Sequence, residues 1–336
     1  MHSATKPLAA IDIGANTIHL VVVRISHDGT DIDYVDDELE LVRLGADVSA
    51  TGAIGAQRME RALLTIRNQV ATANTHHVAA ILAIGTEGVR AATNSREFLD
   101  KVRAETGVEV ELVTGDQEAA LTFWGGTSGL KPSLSRRAVL DLGGGSLELV
   151  VGVNTRVLWR RSLALGSGSM YNRYVRSDPS TPSELHAIER GVHDALSPLN
   201  PPLPVKEVIV CGGTATTLAW LAGKVLQDVH PASRSPDGKI TVNGMRRTRY
   251  LTRERLEWLR ALILACSSAE LSRRYDIEPG RAQLLASGVA ILIATMEQLD
   301  ADTLHIRKRG IREGALLAFT HVGEDWLHNA ADGTGW

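Results

Sequence analysis

Two stretches of this 336-residue chain resemble each other without gaps. The first covers residues 10–23, AIDIGANTIHLVVV, and the second covers residues 139–152, VLDLGGGSLELVVG. Each stretch reads as a strand, a tight turn of small residues and a second strand. Because the copies lie about a domain's length apart, the repeat indicates duplication of a domain core and not a solenoid of short units.

Both turns have the composition of a phosphate-binding site. Each offers consecutive backbone N–H groups beside a hydroxyl, that of Thr17 in the first copy and Ser146 in the second. Their glycines permit positive φ angles and a close approach of the backbone to a ligand. An aspartate precedes each turn, Asp12 and Asp141, and can hold a metal ion directly or through water. One copy alone would read as an ordinary hairpin, but two copies in register favour a polyanion site between facing turns.

Other glycine motifs of nucleotide-binding proteins fit this chain less well. A dinucleotide fingerprint has its glycines at the start of a helix, whereas residues 147–153 alternate in polarity as a strand does. The pair Gly166 and Gly168 lacks a third glycine, and Lys224 is followed by valine where a P-loop has a hydroxyl. The turns therefore favour neither a Rossmann site nor a P-loop site.

The rest of the chain alternates short apolar runs with helical patterns, as α/β proteins do. The sequence predicts strands at residues 8–13, 18–25, 32–44, 78–84, 108–113, 138–142, 147–153, 156–165, 205–211 and 303–307. It predicts helices at residues 53–73, 95–107 (with an N-cap at Asn94), 181–198, 252–265 and 280–299, and helices that begin at 116 and 214. Residues 27–30 read as a hairpin turn, and residues 229–250 read as a polar excursion.

Charge and hydropathy argue against several classes of function. The chain carries 36 basic and 39 acidic residues, a balance that indicates neither a nucleic-acid partner nor a membrane-surface protein. No uninterrupted apolar run reaches the roughly 18 residues of a membrane span, and the N-terminus lacks the apolar core of a signal peptide. We therefore expect a soluble cytoplasmic protein with no membrane partner.

The two glycine turns, DIGANT at residues 12–17 and DLGGGSLE at residues 141–148, resemble the phosphate loops of the acetate kinase, sugar kinase, Hsp70 and actin superfamily. Within that superfamily the chain resembles the Ppx/GppA phosphatases, which are exopolyphosphatases and guanosine pentaphosphate phosphohydrolases. Four further segments resemble motifs of the family in order along the chain, at residues 83–94, 114–119, 210–215 and 309–314. The resemblance covers nearly the whole chain.

This resemblance implies an α/β fold of two actin-like (ribonuclease H-like) ATPase-fold domains with an interdomain cleft. The N-terminal domain would cover residues 1–124 and be completed by a C-terminal helix at 311–329, and the second domain would cover residues 125–305. The chain resembles the short, two-domain members of the family. A homodimer is also implied, because dimers are usual among these relatives.

The resemblance also assigns roles to residues that are ambiguous alone. Glu118 reads as a first-turn glutamate favoured by the helix dipole, but the family match implies that it is the catalytic base. Arg90 reads equally well as a surface arginine or a phosphate clamp, and the match favours the clamp. Asp141 and Glu148, with Asp12, are candidate ligands of Mg²⁺ or Mn²⁺, since paired carboxylates beside phosphate suit a hard cation. The candidate phosphate-binding residues are Gly14, Ala15, Asn16, Thr17, Gly143, Gly144, Gly145, Ser146, Gly212, Gly213 and Thr214.

Several positions depart from the family pattern, among them Ala15, Glu87 and residues 167–170 (SGSM), which lack the arginine frequent in the family. Ala15 stands where family members commonly have a serine, so the first turn has one hydroxyl fewer. Glu87 stands in TEG at residues 86–88 where the family has TSA, and it adds a carboxylate near the expected phosphates. That carboxylate would repel the substrate or add a metal ligand.

The function that these residues favour is Mg²⁺-dependent hydrolysis of the terminal phosphate of inorganic polyphosphate. Hydrolysis of guanosine pentaphosphate (pppGpp) at the same site is an alternative that the motifs cannot separate from it. A kinase or ATPase is a second alternative, against which the match at residues 114–119 argues. A polyphosphate-binding or regulatory protein of weak activity is a third, suggested by Ala15 and Glu87. The basic residues Lys239, Arg246, Arg247, Arg249, Arg307, Lys308, Arg309 and Arg312 could line a path for a long polyanion, although a solvated face is the simpler interpretation.

Overall fold

The structure is a computed structural model that describes residues 6–26, 29, 31–229 and 249–335, and its strands form two sheets. The first sheet contains β1 (Leu8–Ile13), β2 (Thr17–Ile25), β3 (Ile32–Leu41), β4 (Ile81–Gly85) and β5 (Val110–Leu112). The second sheet contains β6 (Arg137–Leu142), β7 (Leu147–Val153), β8 (Arg156–Leu163), β9 (Glu207–Cys211), β10 (Tyr250–Thr252) and β11 (Thr303–Ile306).

The two sheets repeat one topology. The first has the order β3-β2-β1-β4-β5, in which β1, β2 and β3 are antiparallel neighbours while β4 and β5 run parallel to β1. The second has the order β10-β11-β9-β6-β7-β8, in which β6, β7 and β8 are antiparallel while β9 and β11 run parallel to β6. Strand β10 is an additional antiparallel edge. The internal repeat therefore forms the corresponding hairpins β1–β2 and β6–β7, and the expected pair of ribonuclease H-like α/β folds is confirmed.

Helices surround the two sheets and fill the layer between them. Between β3 and β6 the chain forms α1 (Leu44–Thr51), α2 (Ala56–Thr75), α3 (Glu87–Arg90), α4 (Ser95–Thr106) and α5 (Gly115–Thr127). After β8 it forms α6 (Ser167–Tyr174), α7 (Pro182–Leu196), α8 (Gly213–Val229), α9 (Arg253–Ala265), α10 (Ser268–Tyr275), α11 (Pro279–Gln298), α12 (Ile311–Val322) and α13 (Trp326–Asp332).

Helices α5 and α12 lie in the layer between the sheets. Apolar side chains of β1, β2, β6 and β7 meet those of α5 and α12 in one cluster, which includes the buried Trp124. The two helices touch backbone to backbone, since a Cβ added at Gly314 would lie 1.8 Å from the carbonyl oxygen of Leu121. A Cβ added at Gly125 would likewise lie 1.8 Å from the carbonyl oxygen of Gly310. Both glycines are therefore required for the close approach of α12 to α5.

Helix α11 has the length and apolar composition of a membrane span, yet 78% of its most apolar window is buried within the protein. It contacts α6, α7, α8 and α9 and belongs to the core that covers the outer face of the second sheet. These contacts give α11 the surroundings of a core helix.

Several element boundaries differ from the sequence-based expectations, and two of the differences have a clear backbone cause. The strand expected at residues 32–44 ends at Leu41, and Arg43 takes a left-handed conformation (φ 61°) before α1 begins. The helix expected at residues 311–329 is two helices, because Gly323 has a φ of 64° and ends α12.

Some expectations lie outside what the structure tests. Most of the expected hairpin turn at residues 27–30 and of the excursion at residues 229–250 falls outside the described residues, as do Lys239, Arg246 and Arg247. The domain boundaries, 1–124 and 125–305, stay predictions.

Candidate active site

The two glycine turns fold alike at corresponding ends of the hairpins. The backbone N–H of Gly14 donates to the carbonyl oxygen of Thr17 at 2.9 Å, and that of Gly143 donates to the carbonyl oxygen of Ser146 at 3.1 Å. The expected positive φ is found in neither turn, although Gly212 of the third glycine loop has one (φ 98°). The glycines of the first two turns therefore allow neighbouring groups to approach the backbone closely, and they are not required for a left-handed backbone conformation.

A side chain from the first turn reaches the second turn. A Cβ added at Gly144 would lie 2.2 Å from Nδ2 of Asn16, so Asn16 lies against the backbone of the second turn. A Cβ added at Gly145 would lie 3.3 Å from Cγ of Glu87 and 3.7 Å from Cβ of Ala15. The two turns therefore face each other at contact distance, and the absence of a side chain at 144 permits this approach.

The first N–H groups of helix α6 donate hydrogen bonds to carbonyl groups of the second turn. The N–H of Ser167 donates to the carbonyl oxygen of Gly143 at 2.9 Å, and the N–H groups of Gly168 and Ser169 donate to that of Gly144 at 2.9 and 3.0 Å. In a trans peptide the carbonyl oxygen and the following N–H point in opposite directions. The N–H groups of residues 144 and 145 therefore point away from α6, where a ligand can accept from them.

The third glycine loop, residues 212–214, lies beside the second turn because β9 runs parallel to β6. A Cβ added at Gly212 would lie 2.5 Å from the carbonyl oxygen of Leu142. The hydroxyl oxygens of Thr214 and Ser167 are 3.0 Å apart. The structure thus brings the predicted third loop into contact with the second turn, and both lie against the first residue of α6.

Four acidic side chains converge between the turns and α5, and we call them the carboxylate cluster. The strand register places Asp12 opposite His19 and Asp141 opposite Glu148. Cross-strand partners share one face of a sheet. In both sheets this face is turned toward α5, which carries the fourth member, Glu118. Asp12, Asp141, Glu148 and Glu118 therefore form one group although they lie far apart in sequence.

Burial raises the pKa of every member of the carboxylate cluster. Loss of hydration raises the pKa of Asp12 to about 6 and that of Glu148 to about 8, and repulsion from Asp141 adds to both shifts. Burial also raises the pKa of Asp141 and that of Glu118, where repulsion from Glu148 is the next cause. Desolvation and neighbouring negative charge both disfavour an ionised carboxylate. A cation bound in the cluster would reverse both effects.

Hydroxyl groups orient two carboxylates of the cluster. The Thr122 hydroxyl donates to Oδ2 of Asp141 at 3.1 Å, and the Ser162 hydroxyl donates to Oε1 of Glu148 at 2.7 Å. Sequence reasoning missed both donors. Only the register of β7 with β8, which sets Ser162 opposite Glu148, reveals the second contact.

Two arginines supply positive charge to the cluster. Nη1 of Arg312 lies 3.7 Å from Oδ2 of Asp12, and Nη1 of Arg90 lies 3.7 Å from Oε2 of Glu118. The sequence placed Arg312 in a family motif and gave it no role at the carboxylates. Arg90 was expected to clamp phosphate, and in the structure its Nη2 also bonds the carboxylate of Glu87.

Glu118 is positioned by the first turn of α5. Thr114 and Gln117 form a capping box, in which the Thr114 hydroxyl accepts from the N–H of Gln117 at 3.2 Å and the Gln117 side chain accepts from the N–H of Thr114 at 2.8 Å. Among the described residues, Oε2 of Glu118 and Oδ1 of Asp12 are buried without a hydrogen-bond partner. A buried acceptor without a partner costs about 1–3 kcal/mol, so both atoms indicate a ligand that the protein does not itself supply.

The cluster fits a cation of the Mg²⁺ type. Within the described ranges, no three His, Cys, Asp or Glu side chains are close enough to hold a metal ion by themselves. Mg²⁺, however, is usually held by one or two carboxylates together with water and substrate phosphates. Carboxylates beside two phosphate turns, with an unpartnered oxygen on Asp12, match that ligand set. Asp12, Asp141 and Glu148 stay the candidate ligands.

Comparison with known proteins identifies the family. The sequence pattern of the Ppx/GppA phosphatase family matches residues 21–321. Exopolyphosphatase 1 of Mycobacterium tuberculosis is 28% identical over 327 residues, which are 97% of this chain and 90% of the relative. The crystal structure of the Aquifex aeolicus member of the Ppx/GppA family matches with a TM-score of 0.76 at 28% identity, over 95% of this chain and 98% of that chain. An exopolyphosphatase from Cytophaga hutchinsonii shares the fold, with a TM-score of 0.79 at 22% identity over 94% of this chain and 98% of that chain. This protein, with its two facing glycine turns and the carboxylate cluster between them, therefore belongs to the Ppx/GppA phosphatase family.

Proposed function

We propose that this protein is an exopolyphosphatase, which removes the terminal phosphate of inorganic polyphosphate by Mg²⁺-dependent hydrolysis. The observation that carries the proposal is the carboxylate cluster, which lies beside two phosphate turns that face each other. The mycobacterial relatives named exopolyphosphatase 1 support polyphosphate as the substrate.

The two turns supply the binding sites for phosphoryl groups. Of the backbone N–H groups of residues 14–17 and 143–146, those of Gly14 and Gly143 close their own turns, and the others, with the hydroxyl of Thr17, are suited to donate hydrogen bonds to phosphate oxygens. The Ser146 hydroxyl already bonds the carboxylate of Glu148. Since Asn16 already touches Gly144, a phosphate near these residues would contact both turns. The end of the chain would thereby be held from two sides.

A Mg²⁺ ion held by Asp141 and Glu148, with Asp12, would neutralise phosphoryl oxygens and so supply the charge stabilisation that the reaction needs. These carboxylates bind a cation only when they are ionised, and the pKa of Glu148, raised to about 8, makes binding compete with protonation. The hydrogen bonds from Thr122 and Ser162 favour the ionised forms and fix the orientation of both carboxylates.

Glu118 is placed to take the proton of the attacking water. Its Oε2 has no hydrogen-bond partner among the described residues and lies 3.7 Å from Nη1 of Arg90. Burial and the neighbouring carboxylates raise its pKa, so it is a stronger base than a solvated glutamate. Positive charge bound among the other carboxylates lowers that pKa and leaves Glu118 ionised, in the form that accepts a proton.

Guanosine pentaphosphate ends in the same kind of anhydride bond, so its hydrolysis would use the same residues. We place polyphosphate first because the relatives from Mycobacterium tuberculosis and Mycobacterium leprae are named exopolyphosphatase 1. Rates on short polyphosphate, long polyphosphate and guanosine pentaphosphate rank the substrates. A homodimer remains a proposal from the resemblance, and a cytoplasmic location remains a proposal from the hydropathy of the sequence.

The test is inorganic phosphate release with Mg²⁺ and with EDTA, by the wild-type protein and by Glu118→Gln. We expect release that needs Mg²⁺ and that the substitution abolishes, while circular dichroism shows that the variant is folded. Asp116→Asn is the matched control, because Asp116 lies in the same turn of α5 but is 57% exposed and faces Arg160 at 3.6 Å. Near-wild-type rates for Glu118→Gln would show that Glu118 is not the catalytic base. Faster phosphate release from guanosine pentaphosphate than from polyphosphate would make guanosine pentaphosphate the substrate.

A further inference from the structure

Glu87 lies between the two phosphate turns. It is the first residue of α3, and this helix rests on the first turn, since a Cβ added at Gly88 would lie 2.4 Å from Cα of Ala15. On the other side, Cγ of Glu87 lies 3.3 Å from the Cβ position of Gly145 in the second turn. The Glu87 side chain therefore stands next to the space in which a phosphate would meet both turns.

The carboxylate of Glu87 is paired with Arg90. Nη2 of Arg90 bonds Oε2 of Glu87, while Nη1 faces Glu118. The Glu87 side chain is 41% exposed and that of Arg90 is 27% exposed, so the pair lies on the solvent side of the buried Glu118. A guanidinium binds a carboxylate and a phosphate through the same N–H groups. A phosphate that approaches Nη2 of Arg90 from between the turns therefore competes with the carboxylate of Glu87 for this group, and the two negative charges repel each other.

We propose that Glu87 is an intramolecular competitor for Arg90 and thereby sets the affinity of the site for phosphate ligands. In the free protein its carboxylate occupies the guanidinium. A phosphate group that enters between the turns displaces the carboxylate, which is exposed enough to turn into water. The terminal phosphate of the substrate and the orthophosphate product must both displace the Glu87 carboxylate from Arg90. The competition therefore lowers the binding affinity for both by the same factor, and this limits inhibition by the product. The nature of the substrate in this inference rests on the proposed function.

Removing the charge of Glu87 should tighten binding without changing the chemical step. For Glu87→Gln we expect KM for polyphosphate and the inhibition constant of orthophosphate to fall together by about three- to tenfold, the range for a partly exposed, charge-assisted pair. The turnover number should stay within about twofold, because a penalty on the ground state and the transition state alike affects KM and leaves kcat unchanged. A carboxylate with a merely structural role would not produce this split.

Two comparisons isolate the competition. Glu97→Gln removes a carboxylate that is paired with Lys101 on the exposed side of α4, and it should change neither constant. In an Arg90→Ala background, Glu87→Gln should no longer tighten orthophosphate binding, because the group for which Glu87 competes is gone. Equal tightening with and without Arg90 would show general repulsion and overturn the proposal.

Calorimetric titration with orthophosphate in the presence of Mg²⁺ separates this inference from the proposed function, since it needs no turnover. If the wild-type protein releases nothing from polyphosphate while Glu87→Gln binds orthophosphate more tightly through Arg90, the proposed function fails and the competitor remains. If Glu87→Gln binds orthophosphate no more tightly than wild type, or needs more Mg²⁺ for half-maximal binding, the competitor is refuted. Glu87→Ala, compared by its melting curve, replaces the Gln variant if that variant does not fold.

Discussion

Raising the pH in the absence of divalent cations should destabilise this protein at its carboxylate cluster. The pKa of Glu148 rises from an ordinary value of 4.5 to about 8 in the folded protein, through burial and repulsion from Asp141. A carboxyl whose pKa is higher in the folded than in the unfolded state stabilises the fold while it is protonated. That contribution is fully present below pH 4.5 and is lost as the pH rises through about 8. Stability should therefore fall, and not rise, across the neutral range.

The size of the effect follows from the shifts. One pKa unit corresponds to about 1.4 kcal/mol, so the shift of Glu148 from 4.5 to about 8 makes its ionised form cost about 5 kcal/mol. Asp12, raised from 3.8 to about 6, adds about 3 kcal/mol over a lower range of pH. For a chain of this size, a loss of several kcal/mol corresponds to a fall in melting temperature of about 10 °C.

The assay is thermal unfolding followed by circular dichroism from about pH 5 to about pH 8.5, with EDTA or with Mg²⁺. In EDTA the melting temperature should fall with pH, and Mg²⁺ should restore most of it at the alkaline end, because a bound cation favours the ionised carboxylates. Glu148→Gln should flatten the curve in EDTA, whereas Glu97→Gln, at an exposed pair, should leave it unchanged. A flat wild-type curve in EDTA, or the same slope in Glu148→Gln, would refute the reasoning.

Two glycine substitutions test the framework of the site. Gly88→Ala would place a Cβ 2.4 Å from Cα of Ala15, so the first glycine turn would have to move. Steady-state kinetics should then show a kcat/KM that is lower by about tenfold or more, and an unchanged kcat/KM would contradict this prediction. Gly314→Ala would place a Cβ 1.8 Å from the carbonyl oxygen of Leu121, and the forced separation of α5 and α12 should cost about 3 kcal/mol in calorimetric unfolding. Gly107→Ala, at a left-handed φ of 72° but in open space, is its control and should cost only about 1 kcal/mol; an equal cost for both would exclude the backbone contact.

The sheet framework could be predicted because its signals are local. The repeat at residues 10–23 and 139–152 became the hairpins β1–β2 and β6–β7, and the apolar runs at 78–84 and 205–211 became the parallel strands β4 and β9. Parallel strands are buried on both faces, so a continuous apolar run reveals them without knowledge of their neighbours. Two facing copies of one topology then follow from the repeat.

Elements that depend on distant contacts could not be predicted in the same way. Helix α6 is short and polar, and its first turn is held by hydrogen bonds to the second phosphate turn rather than by an apolar stripe. Asn94 was predicted to cap α4, but its side chain instead bonds the backbone of Ile54 at 2.9 Å, forty residues away in the chain. In both places a long-range partner decides the local structure.

In the candidate site, too, some features could be predicted from local sequence signals and others could not. The turns and their aspartates were found by their spacing and Glu118 by the family resemblance, whereas their partners came from register and packing. Ser162 reaches Glu148 from the adjacent strand, and Arg312 reaches Asp12 from the opposite end of the chain. No pattern within the sequence links these pairs.

The two copies of the repeat share a shape but differ in charge. Asp12 and Asp141 occupy equivalent positions, yet their cross-strand partners are His19 and Glu148. Burial lowers the pKa of His19 from its ordinary 6.5, so this position is neutral at neutral pH. In the first copy Asp12 therefore stands opposite a ring that is neutral and also bonds Asp37, whereas in the second copy two carboxyl groups stand opposite each other.

Fixed positive charge adds to this asymmetry. Arg312 lies 3.7 Å from Asp12 and already balances the first copy. The carboxyl groups of Asp141 and Glu148 receive hydrogen bonds from neutral hydroxyls, and the pKa of Glu148 is raised to about 8, so a cation bound there would supply the positive charge that favours their ionised forms. If the proposed Mg²⁺ binds, we therefore expect it at the second turn rather than at the first. A symmetric pair of turns could hold a polyphosphate end in either direction, but a cation at one turn would give the bound end a single orientation toward Glu118, as the proposed removal of one terminal phosphate requires.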